Sequence, residues 1–185
     1  MPVVAIVMGA GWVAFWIYWL AMSAGAKAGQ NRWARYAGVR VAVIVVLLLV
    51  FRLRAFGKNT STSLTHDHWL IGIGLALWVL GLGIAVWARV YLGRNWGMPM
   101  STKQDPELVT TGPYHVIRHP IYSGIILAFI GTGLAVSLFW LIAAALTGGY
   151  FIYSATVEER TLTDTFPSTY PPYREHTKML IPFVL

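Results

Sequence analysis

Residues 121–153 read IYSGIILAFIGTGLAVSLFWLIAAALTGGYFIY. The run contains no Asp, Glu, Lys or Arg. A single straight helix of that length, at ~1.5 Å per residue, would overshoot a bilayer hydrocarbon core of ~30 Å. Two shorter helices turning near Ser137 fit that core, so the stretch predicts a hairpin of membrane spans. Outward toward the N-terminus, residues 92–120 hold most of the polar side chains, and another apolar run, 69–91, precedes them. A Ser- and Thr-rich segment, 58–68, separates that run from a short apolar one at 39–53, whose ends carry Arg40 and Arg52 placed to snorkel. The first apolar run covers 3–24. It has no basic leader and no small-residue cleavage site, so it reads as a retained span rather than a signal peptide.

The expected architecture is therefore all-α, a polytopic membrane protein with about five transmembrane helices. The last two form the hairpin, and a C-terminal cap follows. The whole chain, 1–185, reads as one membrane domain, with three spans in 1–92 and the chemistry-bearing segments, hairpin and tail in 93–185. Composition agrees: 57% of residues are hydrophobic and 11% charged, against roughly 25% charged in a soluble domain. Cysteine is absent, which excludes disulfides, thiolate metal ligands and cysteine nucleophiles. No metal site is expected.

The net charge of +7 comes from basic residues that flank apolar runs instead of forming one face. That distribution sets topology and touches anionic lipid headgroups; no nucleic-acid partner is expected. If the segment after the first span is cytoplasmic, eleven basic residues fall on that side: Lys27, Arg32, Arg35, Arg40, Arg89, Arg94, Lys103, Arg118, Arg160, Arg174 and Lys178. Arg52, Arg54 and Lys58 fall on the other. The bias places the N-terminus outside and the polar stretch and tail in the cytoplasm. Gly72, Gly74, Gly81, Gly83, Gly131 and Gly133 read as positions of close helix approach. They follow no strand and open no βαβ unit, so they are not a dinucleotide fingerprint.

Two segments gather the chemistry. The first is Leu108-Val109-Thr110-Thr111-Gly112-Pro113-Tyr114 running on to Arg118-His119-Pro120-Ile121-Tyr122-Ser123-Gly124. The second is Glu158-Glu159-Arg160-Thr161-Leu162-Thr163-Asp164-Thr165-Phe166, followed by Tyr170 and Tyr173. The chain has seven acidic residues, and two stand adjacent at the end of a span, where ionisable groups are costly and usually functional. The bland alternative is that they mark the water interface, that Arg118 anchors a span, and that Pro120 merely starts a helix.

Together these motifs resemble the isoprenylcysteine carboxyl methyltransferase family and the related membrane phospholipid methyltransferases, over residues 92–182. The resemblance implies use of S-adenosyl-L-methionine and a lipophilic acceptor. It implies a cofactor site at Glu107, Leu108, Val109, Tyr114, Arg118, His119, Pro120, Ile121, Tyr122 and Glu158. Glu158 suits the ammonium of that molecule, His119 and Arg118 its carboxylate, and the Tyr114 and Tyr122 rings its sulfonium. Gly124 and Ser154 are small, which would leave room for an acceptor chain to enter between helices; Glu159 is a further candidate for contact with the acceptor. Ser154 also stands near the place where eukaryotic members carry an Arg before the Glu pair. Residues 95–104 match the family poorly. No base is identified, with Glu159, His115 and His176 the nearby candidates. Two other readings stay open: an NADPH-dependent sterol or steroid reductase, which in related proteins has Asn where Ile121 stands, and a non-catalytic membrane scaffold. The acceptor atom and the oligomeric state are not legible.

Overall fold

The computed structural model describes residues 2–23, 29–30, 67–96, 102–103 and 106–181. The expected span at 39–53 and most of the segment 58–68 lie outside the described residues. Helix α1 covers Pro2–Ser23 and α2 covers His68–Leu92. Helix α2 starts where Asp67 accepts the Trp69 N–H at 3.0 Å, an N-cap that satisfies one orphan donor of the first turn. It stops at Gly93, whose φ of +52° is left-handed and suits glycine. The hairpin follows as α3, Pro120–Ala135, and α4, Phe139–Thr165, with the turn at Ser137. A last helix, α5, covers Tyr170–His176 with proline in its first turn, where a missing N–H costs nothing. Two-residue strands, β1 at Gly29–Gln30 and β2 at Thr102–Lys103, pair antiparallel.

This is an all-α integral membrane protein. Val3–Met22, His68–Asn95 and Phe139–Thr165 are long and apolar enough to cross a bilayer, while Pro120–Ala135 is a shorter apolar helix. The asymmetry of the hairpin matters. With 27 residues, α4 reaches ~40 Å at ~1.5 Å per residue, so its last turns, with Glu158, Glu159, Arg160 and Asp164, extend past the core. Large apolar side chains point outward, among them Val3, Ile6, Val13, Ile17, Ile73 and Val79. In water such a surface would be an aggregation hazard; against lipid it is the expected outer face.

Helices α2 and α3 pack almost backbone to backbone. A Cβ on Gly81 would lie 2.5 Å from both Gly124 O and Ala128 N, and one on Gly131 would lie 2.5 Å from Gly74 O and Trp78 N. Ala85, Ala88, Ala128 and Ala135 complete this seam. Because lipid is as apolar as leucine, such contact area and dispersion hold the pair together. Of the glycines read as packing positions, Gly72 and Gly83 face open space instead. Helix α1 joins through aromatic side chains: Trp12 stacks on Phe129 at 4.7 Å and donates to Thr132 Oγ1 at 3.1 Å.

Candidate active site

The segment between α2 and α3 is shaped by Gly112. Its φ is +61°, and a Cβ there would collide with the Tyr91 ring. A 3-10 turn, Gly112–His115, then buries Pro113 and Tyr114. After it the chain extends and is paired by the tail. Arg118 N donates to Lys178 O at 2.8 Å, His119 N to Met179 O at 3.0 Å, and Ser123 Oγ to Leu180 O at 2.6 Å. Ile117 and Lys178 form a parallel bridge. The tail thus folds back over the start of α3 as a strap, the cap expected from the sequence. Tyr173 ties it further by donating to Tyr114 O at 2.6 Å.

Under the strap lies a polar centre built from the first turn of α3 and the last turns of α4. The Tyr122 hydroxyl donates to Glu158 Oε1 at 2.6 Å. His119 sits between the two acids, with Nδ1 3.5 Å from Glu158 Oε2 and Nε2 3.5 Å from Glu159 Oε1. Its Nε2 is buried and makes no hydrogen bond. The His119 and Tyr122 rings stack at 5.4 Å, and Tyr122 stacks on Phe151 at 4.3 Å. This column of parallel rings fixes Tyr122 in a single direction, with its hydroxyl on Glu158.

Glu159 has a different environment. It is 4% exposed and takes Arg118 Nε at 2.7 Å and Arg174 Nε at 3.4 Å. The Arg118 guanidinium also donates to the Arg174 carbonyl at 3.1 Å and to the Thr177 carbonyl. Arg118 is therefore engaged in clamping the tail to α4, a role its sequence position did not convey. Burial pushes the Tyr114 phenol far above its ordinary range and the Tyr173 phenol up to about 12. Both stay protonated near neutrality, so Tyr173 remains a donor to the Tyr114 carbonyl.

The structure brings Tyr114, Arg118, His119, Pro120, Ile121, Tyr122, Glu158 and Glu159 together. Leu108 and Val109 are half-buried on the approach, Val109 against the same aromatic core. Glu107 is exposed and accepts from Asn95 Nδ2 at 3.1 Å. His115 and His176 are exposed. Two positions expected to leave space for an acceptor do not. A Cβ on Gly124 would lie 2.5 Å from Gly81 O and 2.8 Å from Ala85 N, so its smallness serves the α2–α3 seam. Ser154 is fully buried with its hydroxyl on Tyr150 O at 2.8 Å. Sequence reasoning passed over Phe151, Thr177 and above all Arg89, an arginine inside an apolar run that was counted only as a flanking charge.

A carboxylate at Glu158, an imidazole at His119 and a column of parallel aromatic rings thus meet at one buried centre, a set of groups suited to a small polar cation. The family model described as phospholipid methyltransferase matches residues 69–169, more than half of the chain. Methanethiol S-methyltransferase 1 of Bradyrhizobium diazoefficiens is 37% identical over 78 residues, 42% of this chain and 27% of that protein. The nickel-cobalt-cadmium resistance protein NccN of Alcaligenes xylosoxydans xylosoxydans is 30% identical over 146 residues, 77% of this chain and 62% of its own. Protein-S-isoprenylcysteine O-methyltransferase B of Arabidopsis thaliana is 27% identical over 120 residues, 63% of this chain and 61% of that protein. The chain spans less than two thirds of the length of each of these relatives.

Proposed function

The chain belongs to the phospholipid methyltransferase family, and from that premise we propose that it transfers a methyl group from S-adenosylmethionine to a lipophilic acceptor at the membrane surface. The observation that carries the reading is the Tyr122–Glu158–His119 cluster, in which a carboxylate at the end of a span is held by a tyrosine O–H and flanked by an imidazole. When bound, the donor supplies a methyl group already activated on a sulfonium. The protein's part is to bind and orient. Glu158 would pair the donor's ammonium, His119 would stand near its carboxylate, and Tyr114 and Tyr122 would supply the aromatic surroundings of its positive sulfur. The strap excludes water from this surface. Alignment of this kind is the main requirement of an in-line displacement.

A single membrane domain over 1–185, with the donor site in 93–185, belongs to this proposal. So does a cytoplasmic site, because the motifs lie on the side that carries eleven of the basic residues. A reductase is disfavoured by the supply of cations. Arg118 is committed to Glu159 and to tail carbonyls, which leaves it little freedom for a 2′-phosphate. The test is direct. The purified protein in detergent is titrated with S-adenosylmethionine and with NADPH, and a lipid extract is then incubated with methyl-labelled donor. Binding of the first alone, with label entering an extractable lipophilic product, is the expected result; binding of NADPH alone would overturn it.

A further inference from the structure

Arg89 lies in the last turn of α2 and is 1% exposed. Its Nη1 donates to Gly93 O and its Nη2 to Met22 O, both at 2.7 Å, and its plane lies 4.7 Å over the Trp96 ring. These carbonyls sit at the C-terminal ends of α2 and α1, whose partial negative charge offsets part of the guanidinium's. The offset is incomplete. A guanidinium has five N–H donors; the two carbonyls take two, and the buried Nε has no partner. No carboxylate lies within ion-pair distance among the described residues. The Tyr18 hydroxyl is also buried without a partner, on α1 one turn before Met22, whose carbonyl the guanidinium holds. A cation left this way at the edge of a membrane is costly and marks a functional position. Its unfilled groups are donors, so the matching ligand is an acceptor of hydrogen bonds and preferably an anion.

We propose that Arg89 and Tyr18 form a subsite that holds the anionic head of a lipophilic methyl acceptor, a carboxylate or a thiolate, beside Tyr114. The proposal rests on the methyltransferase reading for its purpose. Tyr114 links the two places: it packs in one buried cluster with Trp19, Ala88, Tyr122 and Phe151, against which Tyr18 also packs. An acceptor bound as its anion bonds to the methyl carbon with its own electron pair. The carbon–sulfur bond of the donor breaks, that pair stays on sulfur, the opposite charges cancel and no proton moves. A general base is then unnecessary, in keeping with a site where His119 is held between two acids and His115 and His176 face solvent. Arg89 would also favour ionisation of the acceptor, as a nearby cation does for any acid.

The experiment uses the full chain in detergent. Octanoate and benzenethiolate are titrated by calorimetry beside neutral octan-1-ol and octanamide, with S-adenosylmethionine affinity measured in parallel. The wild-type protein is expected to bind at least one anion tenfold or more tighter than the neutral probes, and the better anion names the acceptor atom. Arg89→Gln should lose thirty-fold or more of the anion affinity, leave the neutral probes and the donor unchanged, and be partly rescued in Arg89→Lys. Tyr18→Phe, which removes one hydroxyl and should fold normally, should lose several-fold for anions only. Equal binding of anions and neutral probes by the wild type would overturn the subsite. So would Arg89→Gln and Tyr18→Phe variants in which both probe classes change alike, leaving Arg89 as a clip between helix ends. Failure of S-adenosylmethionine to bind while anion selectivity persists would instead sink the methyltransferase reading.

Discussion

Glu158 and Glu159 are neighbours in sequence but point about 100° apart around α4, and that angle divides their work. Glu158 faces Tyr122 and the ring column, and is the residue proposed to pair the donor's ammonium. Glu159 turns toward Arg118 and Arg174 and is almost wholly buried. Removing one partner of a desolvated charge pair costs about 2–5 kcal/mol. Glu158→Gln should therefore weaken S-adenosylmethionine binding roughly thirty-fold or more, with little change in Tm. Glu159→Gln should do the reverse, because it strands the Arg118 guanidinium in a buried place at a stability cost of about 3–5 kcal/mol. Calorimetry with a thermal melt separates the two, and a Glu158→Gln variant with unaltered affinity would remove the residue at the centre of the proposed site. The pair itself was legible in the sequence, since carboxylates at the end of an apolar run invite explanation. Arg118 was not. Its sequence position suits a ligand contact as well as a clamp, and the distinction depends on carbonyls of the tail that carry no side-chain signal.

Among the elements, the α2–α3 seam is the most exacting. Gly81→Leu should separate the two helices, since even its Cβ would meet backbone atoms of Gly124 and Ala128 and backbone cannot move aside as a side-chain tip can. Overpacking of this kind costs about 1–3 kcal/mol or more. The expected readout is a clear fall in Tm and in the yield of folded protein from detergent. Gly83→Leu, two residues away and facing open space, should change stability by no more than about 0.5 kcal/mol. Matching melts for the two variants would refute the close approach. The runs that became α1, α2 and the hairpin were readable because lipid demands uninterrupted apolar helices. The role of Gly124 was misread for a physical reason: a small residue that opens a gap and one that admits a neighbouring backbone look identical in sequence. The strap was foreseen only as a cap, because pairing of main-chain groups places no demand on residue type.

At the scale of the whole molecule, the proposed function depends on orientation, since donor and site must share a compartment. The prediction is an outside N-terminus and a cytoplasmic tail. Reporter fusions after Leu185 and within residues 58–65 test it. A C-terminal reporter active outside the cell membrane would invert the orientation and separate the site from the cytosolic donor. The basic asymmetry behind this expectation includes Arg89, which the structure buries between helix ends. Without it the balance is still ten to three, so the orientation does not turn on that residue.

The strap also orders events in time. Ile117 pairs with Lys178, so the two halves of that bridge leave the ribosome about sixty residues apart, an interval of roughly 3–12 s at ~5–20 residues per second. The hairpin residues 120–165 are made within it, while Arg118 lacks the Thr177 carbonyl and His119 lacks the Met179 carbonyl. The pairing of the tail with the start of α3 is thus the last part of the cluster to form.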